Sequence, residues 1–112
     1  SEMCIRDSPY AALMFIPPMG DRIRASFDQG SYMQNFLLSL EAHGYHGVPQ
    51  GMISLLAPTV REFLGVGEDQ KLVASITFGK ADETSPVFNT DPGRAPLSET
   101  VTVHGIDGLS LA

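Results

Sequence analysis

Two β-rich apolar segments, separated by a long helical region, constrain the fold of this chain more than any other feature. Tyr10 to Ile16 is a short apolar run closed by Pro17-Pro18, which can continue neither a strand ladder nor a helix. Lys71 to Phe78 is also β-rich and mostly apolar. Both segments are predicted to be buried strands. Because two strands leave backbone groups without partners, further strands are expected from missing sequence or from a second subunit.

The region between the two strands predicts a long amphipathic helix from Ser26 to Gly44. Ser26 and Gln29 have the spacing of a capping box, and Gly44 suits a left-handed C-terminal cap. The apolar residues recur at helical spacing and predict one buried face, formed by Met33, Phe36, Leu37 and Leu40.

Shorter elements are predicted on either side of the second strand. Met52 to Leu56 forms an apolar helical patch, and Pro58 suits the start of a short helix that ends at Gly65. The apolar residues of that short helix, Val60, Phe63 and Leu64, are predicted to be buried. Residues 80–96 have loop chemistry, and Leu97 to Val103 is a candidate edge strand or extended arm.

Length and charge limit the kind of protein this is. The 112 residues suffice for one small domain with a modest core. A net charge of −6 argues against a nucleic-acid partner, which requires a clustered basic surface. No apolar run approaches the roughly 18 residues that span a bilayer, so no membrane partner is predicted, and a cytoplasmic location is expected.

The first eight residues are interpreted separately. Ser1 to Ser8 reads as the translation of a transposase sequencing adapter and is left out of the fold prediction. Cys4, the only cysteine, is then not native, which removes disulfides and thiol chemistry. The chain is therefore expected to be the C-terminal part of a longer protein, with residues 9–104 as the domain and residues 105–112 as a tail.

The candidate binding residues are Val48, Pro49, Gln50 and Gly51, together with Arg94. A Pro-x-Gly turn leading into a helix presents main-chain N–H groups with little side-chain bulk, which suits a flat ligand that carries a hydrogen-bond acceptor. Arg94, after the long loop, can supply a positive charge for a phosphate. Together they suggest bound flavin mononucleotide (FMN). Taken singly, the tetrapeptide is better explained as an ordinary turn and Arg94 as a solvated loop charge.

Other chemistries have little support. His43 and His46 lie three residues apart without a third ligand nearby, so no metal site is predicted. No serine has the context of a nucleophile, and no side chain is predicted to be catalytic.

The ordered set of motifs resembles the C-terminal half of the flavin-dependent nitroreductase family. The resemblance covers nearly all of residues 9–103. It rests on the following features in order: Asp28-x-Gly30, a long helix with Gln34-Asn35 that ends at Gly44, Pro49-Gln50-Gly51, Val60 to Gly65, the Lys71-Leu72-Val73 strand that ends at Gly79, and Asn89 followed by Arg94-x-Pro96-Leu97. It implies an α+β fold, here an incomplete sandwich of a mixed sheet with flanking helices, whose N-terminal strands are missing. It also implies an interwoven homodimer with FMN in the interface.

The resemblance gives the candidate residues their roles. The family commonly has Pro-x-Glu-Gly, where a main-chain N–H meets the reactive flavin nitrogen; here Val48 replaces the leading proline and Gln50 the glutamate. The family's phosphate-binding residue falls on Arg94, and a second basic residue of some members falls on Pro92. The activity implied is reduction of nitroaromatics, quinones or activated alkenes by NAD(P)H. The alternatives are a flavin- or nucleotide-binding module without turnover, and an inactive fragment.

Overall fold

The computed structural model describes residues 8–18, 20 and 22–111. The chain divides between Asp82 and Glu83 into two compact units. The predicted adapter segment, apart from Ser8, lies outside the described residues, and so does Cys4. The first unit carries the sheet and the long helix, and its elements in chain order are β1 (Tyr10–Ile16), α1 (Arg22–Ala42), β2 (His46–Gln50), a 3₁₀ helix (Met52–Leu56), α2 (Ala57–Leu64) and β3 (Lys71–Gly79).

The three described strands form an antiparallel sheet in the order β1-β3-β2. The central strand β3 is largely buried, as predicted. The strand β1 has the predicted bounds, but Met14 is its only buried residue. The prediction that β1 is buried was therefore wrong, because among the described residues it pairs with β3 alone and lies at an edge. Its register with β3 shifts between Met14 and Phe15.

Helix α1 begins four residues earlier than the sequence predicted. Ser26 lies inside the helix, and its hydroxyl donates to the Arg22 carbonyl at 2.8 Å, so the predicted capping box is absent. A serine inside a helix can donate its hydroxyl to a carbonyl of the preceding turn, so a serine does not by itself mark the first residue of a helix. The predicted end is confirmed. Gly44 has φ 76°, and the Tyr45 N–H donates to the Leu40 carbonyl at 2.8 Å, as in a Schellman motif.

The core lies between α1 and one face of the sheet. Met14, Leu40 and Ile76 form its buried centre, and Ile76 is fully buried. The predicted apolar face of α1 packs against this centre, which confirms that prediction. A Cβ atom on Gly47 would lie 2.8 Å from Leu40 Cδ1 and 2.9 Å from Ile76 Cγ2, so the absence of a side chain there allows α1 to approach β2.

Most large apolar side chains of the 3₁₀ helix and α2 are exposed, whereas Ile53 and Val60 are half-buried. Phe63 is 88% exposed, and Met52 and Leu55 are also mostly exposed. The predicted buried stripe on α2 is therefore wrong for this chain, although Gly65 ends the helix as predicted, with φ 68°. Periodicity identifies the apolar face of a helix, but burial depends on whether another element covers that face.

The second unit, described by itself, consists mainly of turns. Residues 80–96 contain no helix or strand, as predicted. Leu97–Thr100 forms a single helical turn, α3, in which the Val101 N–H donates to the Leu97 carbonyl at 2.8 Å. The predicted edge strand from Leu97 to Val103 is therefore wrong. A β-rich composition forms a strand only where a partner strand offers hydrogen bonds, and local bonds after Pro96 favour a helical turn here.

Candidate functional site

The tetrapeptide Val48–Gly51 lies at the end of an edge strand rather than in a turn between helices. Val48, Pro49 and Gln50 belong to β2 and pair with Thr77, Ile76 and Ser75 of β3. The predicted turn was therefore wrong for these three residues. Proline reads as a strand breaker, but an edge strand tolerates it where its missing N–H faces no partner.

The Gln50 side chain is held across the sheet. Its Nε2 atom donates to Thr77 Oγ1 at 2.9 Å, and this contact is partly buried. Gln50 lies directly opposite Ser75, which is almost fully buried, so Thr77 is its diagonal neighbour on β3. Gln50 thus makes both a main-chain pairing and a side-chain hydrogen bond to the central strand.

Gly51 joins β2 to the following 3₁₀ helix. Its φ and ψ angles, −79° and −31°, are accessible to any residue. Its carbonyl accepts two bonds from Ser54, at 3.1 Å from the N–H and 2.8 Å from Oγ. A Cβ atom added to Gly51 would meet no heavy atom within 4 Å. Neither backbone conformation nor packing requires glycine at this position, and the space beside its Cα is open.

The helical segment after Gly51 has the predicted bounds. It is a 3₁₀ helix of five residues, Met52–Leu56. A macrodipole depends on many aligned peptide groups, so a helix this short contributes little positive charge at its start. Binding of a ligand with a hydrogen-bond acceptor at this position therefore depends on the orientation of individual main-chain N–H groups.

Arg94 lies in the second unit, on an exposed turn. Its Nη1 atom donates to the Gly93 carbonyl at 3.1 Å, and the Gly93 N–H donates to Asp91 Oδ1 at 2.8 Å. Among the described residues Arg94 forms no ion pair with a carboxylate. Its guanidinium group therefore keeps most of its donors for an external anion.

The structure adds features that the sequence did not reveal. Thr77, the hydrogen-bonding partner of Gln50, was not identified because the pairing of β2 with β3 was not predicted. Ser54, the partner of Gly51, lies only three residues along the chain, and its hydroxyl bond was not predicted either. A cleft of about 350 Å³ also lies beside β1 and α1, and its lining includes Met14, Phe15, Gln29, Tyr32 and Phe36.

Two negative findings concern the described residues, 8–18, 20 and 22–111. No group of three His, Cys, Asp or Glu side chains there is placed to hold a metal ion. None of the helices in that part of the chain combines the length and apolar character needed to cross a bilayer.

The chain belongs to the nitroreductase family. The family model matches residues 5–80, which include β1, α1, β2 and β3. Arg94 lies outside the matched residues, whereas the whole Val48–Gly51 segment lies within them.

The chain is similar to several known nitroreductases. It is 42% identical over 93 residues to the nitroreductase NfnB of Mycolicibacterium smegmatis, covering 83% of this chain and 39% of that protein. It is 36% identical over 76 residues to a chloronitrobenzene nitroreductase of Comamonas testosteroni, covering 67% of this chain and 34% of that protein. The chain thus spans less than two fifths of the length of these two relatives.

A solved structure supports the same fold. The FMN-dependent nitroreductase NfnB from Mycobacterium smegmatis, crystallised in complex with NADPH, superposes with a TM-score of 0.80 at 39% identity. The superposition covers 87% of this chain and 43% of that one. The α+β arrangement described above is therefore nitroreductase-like.

Proposed function

We propose that this chain contributes the flavin-binding part of an FMN-dependent oxidoreductase that uses NAD(P)H to reduce nitroaromatic acceptors. The observation that carries the proposal is that the Val48–Gly51 segment lies inside the family match and carries an open surface at Gly51. Relatives at 42% and 36% identity are nitroreductases, and one solved relative is named as FMN-dependent. Quinones and activated alkenes are further candidate acceptors, and a cytoplasmic location is part of the proposal.

Each of the two units, taken by itself, offers one feature that fits part of an FMN molecule. The open space at Gly51 lets a flat ring approach the main chain without meeting a side chain. The exposed guanidinium group of Arg94 offers several donors to a phosphate. When bound, FMN supplies the two-electron chemistry between NAD(P)H and the acceptor.

The protein's own contribution is placement and electrostatics. A main-chain N–H at Gln50 or Gly51 would donate to the ring and favour negative charge that develops there. Such a donor is already oriented, so little reorganisation is needed during the reaction. Arg94 would hold the phosphate end. No side chain of the described residues is assigned a role as nucleophile.

A homodimer is part of this proposal. Mostly exposed apolar side chains on the 3₁₀ helix and α2 form a surface that a partner would cover, and we call Met52, Leu55, Leu56 and Phe63 the apolar surface. Apolar residues in this number are uncommon on the free surface of a small protein and are typical of interfaces.

The proposal is tested under anaerobic conditions by adding FMN to the purified chain, then NADPH, and last a nitroaromatic acceptor, which should restore the oxidised flavin spectrum. Quenched flavin fluorescence with saturable binding, followed by loss of the oxidised flavin absorption on adding NADPH, is the expected result. Absence of binding at FMN concentrations up to the millimolar range would contradict the proposal for this chain.

A second candidate function is a flavin-binding module without turnover. Gln50 is neutral where the family commonly has glutamate, and Pro92 stands where some members have a second basic residue. The same experiment separates the two functions. Flavin that binds but is not reduced by NADPH would favour the module.

A further inference from the structure

The main chain at Gly51 is held from both sides by hydrogen bonds from side chains. Before it, Gln50 is tied to the central strand through Thr77 Oγ1, at 2.9 Å. After it, the Gly51 carbonyl accepts the Ser54 hydroxyl at 2.8 Å, in addition to the Ser54 N–H. The N–H of Gly51 belongs to the peptide group between these two anchored points.

Gly51 needs such anchors more than another residue would. Glycine has the largest conformational freedom of any residue, and no neighbouring atom lies where its side chain would be. Among the described residues, the segment is also the end of an edge strand, which pairs with β3 on one side only. Without the anchors, the Gly51 N–H would sample many directions.

We propose that Thr77 and Ser54 are positioning residues that fix the direction of the Gly51 main-chain N–H. The ligand class follows from the proposed function, on which this inference rests: a flat heteroaromatic ring with a hydrogen-bond acceptor at its edge. Neither residue is assigned a contact with the ring. Thr77 acts through the Gln50 side chain, and Ser54 acts through the Gly51 carbonyl.

The two anchors are independent of each other. Thr77 belongs to β3 and constrains the end of β2, whereas Ser54 belongs to the 3₁₀ helix and constrains the peptide group that follows Gly51. The Ser54 N–H bond is an ordinary part of the 3₁₀ turn, but the hydroxyl bond is additional. Replacement of either side chain leaves the other anchor and all main-chain pairing in place.

The first test measures the Gly51 amide directly, in the chain without flavin. Nitrogen-15 relaxation in Thr77→Val, Thr77→Ser and Ser54→Ala compares the order parameter of Gly51 with that of Ile76. Rigid backbone has an order parameter of about 0.85 and flexible backbone less than about 0.6. We expect Gly51 to approach the flexible range in Thr77→Val and Ser54→Ala, to recover in Thr77→Ser, and Ile76 to remain unchanged.

Matched controls exclude a general loss of structure. Thr102→Val makes the same chemical change in the second unit and should leave Gly51 unchanged. Valine replaces threonine with nearly the same shape and is favoured in strands, so Thr77→Val is expected to fold. Unchanged order at Gly51 in both Thr77→Val and Ser54→Ala would overturn the proposal. An equal loss of order at Gly51 and Ile76 would also overturn it.

The second test adds FMN. A net hydrogen bond contributes about 0.5–1.5 kcal/mol, which corresponds to a 2- to 12-fold change in an equilibrium constant. We therefore expect Thr77→Val and Ser54→Ala each to weaken FMN binding about 2- to 12-fold, with recovery in Thr77→Ser. Wild-type chain that binds no FMN, with Gly51 loosened in the variants, would support the positioning role and contradict the proposed function. Bound FMN with full affinity in both variants would overturn the positioning role alone.

Discussion

Gln50 and Thr77 lie on neighbouring strands, and the Gln50 Nε2 atom donates to Thr77 Oγ1 at 2.9 Å. The bond joins a residue of the candidate binding segment to the central strand of the sheet. An amide can donate to the threonine oxygen, whereas an ionised carboxylate can only accept from the threonine hydroxyl. The contact with Thr77 can therefore form with glutamine or with glutamate at position 50. Glutamine donates to the threonine oxygen, whereas glutamate accepts from the threonine hydroxyl.

Gln50→Glu tests the electrostatic part of this difference. We expect the free energy of unfolding to change by about 1 kcal/mol or less, because the hydroxyl of Thr77 can donate to the new carboxylate. A negative charge near the flavin opposes its reduction, so the midpoint potential of bound FMN should fall by roughly 30 mV, equivalent to about 1.4 kcal/mol for two electrons. Potentiometric titration measures this midpoint potential, and a value in Gln50→Glu equal to or higher than that of the wild type would contradict the prediction.

Gly51→Ala separates folding from binding. The backbone angles suit alanine and the space is open, so the chain should gain about 0.4–1 kcal/mol of stability from the less flexible unfolded state. The added methyl group would stand where the ring approaches, and FMN affinity should fall by roughly tenfold or more, about 1.4 kcal/mol. Chemical denaturation and fluorescence titration measure the two effects. Stabilisation with unchanged FMN affinity would remove Gly51 from the site.

Gly47→Ala, inside β2, is the matched contrast to Gly51→Ala. A Cβ atom there would lie 2.8 Å from Leu40 Cδ1, inside the core. Overpacking of this kind costs about 1–3 kcal/mol, so the free energy of unfolding should fall by that amount. A variant as stable as the wild type in urea denaturation would show that α1 can move away from β2 at no cost.

Arg94→Ala should weaken FMN binding without changing stability. Arg94 is exposed and its Nη1 atom bonds only to the neighbouring carbonyl of Gly93. A charge-assisted bond to phosphate contributes about 1.5–3 kcal/mol, so affinity should fall roughly 10- to 150-fold. The effect should shrink at high salt, since screening weakens the wild-type contact. Arg22→Ala, which removes the same charge from α1, is the control; equal losses in both variants would indicate a general charge effect.

Phe63→Ser tests the apolar surface. Phe63 is 88% exposed in this chain, so its replacement should change the free energy of unfolding of the monomer by no more than about 0.5 kcal/mol. If a second subunit covers the surface, the variant should shift the monomer–dimer equilibrium toward monomer. Sedimentation equilibrium measures the shift. Ile23→Ser, at an exposed site on α1, is the control, and an equal shift in both variants would contradict a specific role for Phe63.

The sequence predicted those elements whose signals are local. Tyr10–Ile16 and the strand from Lys71 were predicted closely because both are continuous β-rich runs bounded by breakers. Gly44 and Gly65 were identified as helix ends because glycine readily takes the left-handed conformation that ends many helices. The apolar face of α1 followed from its period alone.

The errors occurred where a distant partner decides the structure. Strand β2 was missed because Pro49 and two glycines indicate a turn, and only pairing with β3 makes the segment extended. Leu97–Thr100 became a helical turn because no strand pairs with it in the described structure. Phe63 was expected to be buried because helical period cannot show whether another element covers that face.

The amino-acid sequence by itself determined the family, the bounds of two strands, the helix ends at glycine and the four residues of the candidate binding segment, since each depends on neighbouring residues or on an ordered motif. Only the tertiary structure decided that this segment is the end of an edge strand and that Thr77 and Ser54 hold it. The pairing of β2 with β3, and with it the Gln50–Thr77 bond, joins residues far apart in the chain, which local hydrogen bonding and side-chain period do not encode. The Ser54 bond to Gly51 spans only three residues and depends on the 3₁₀ turn that follows the strand.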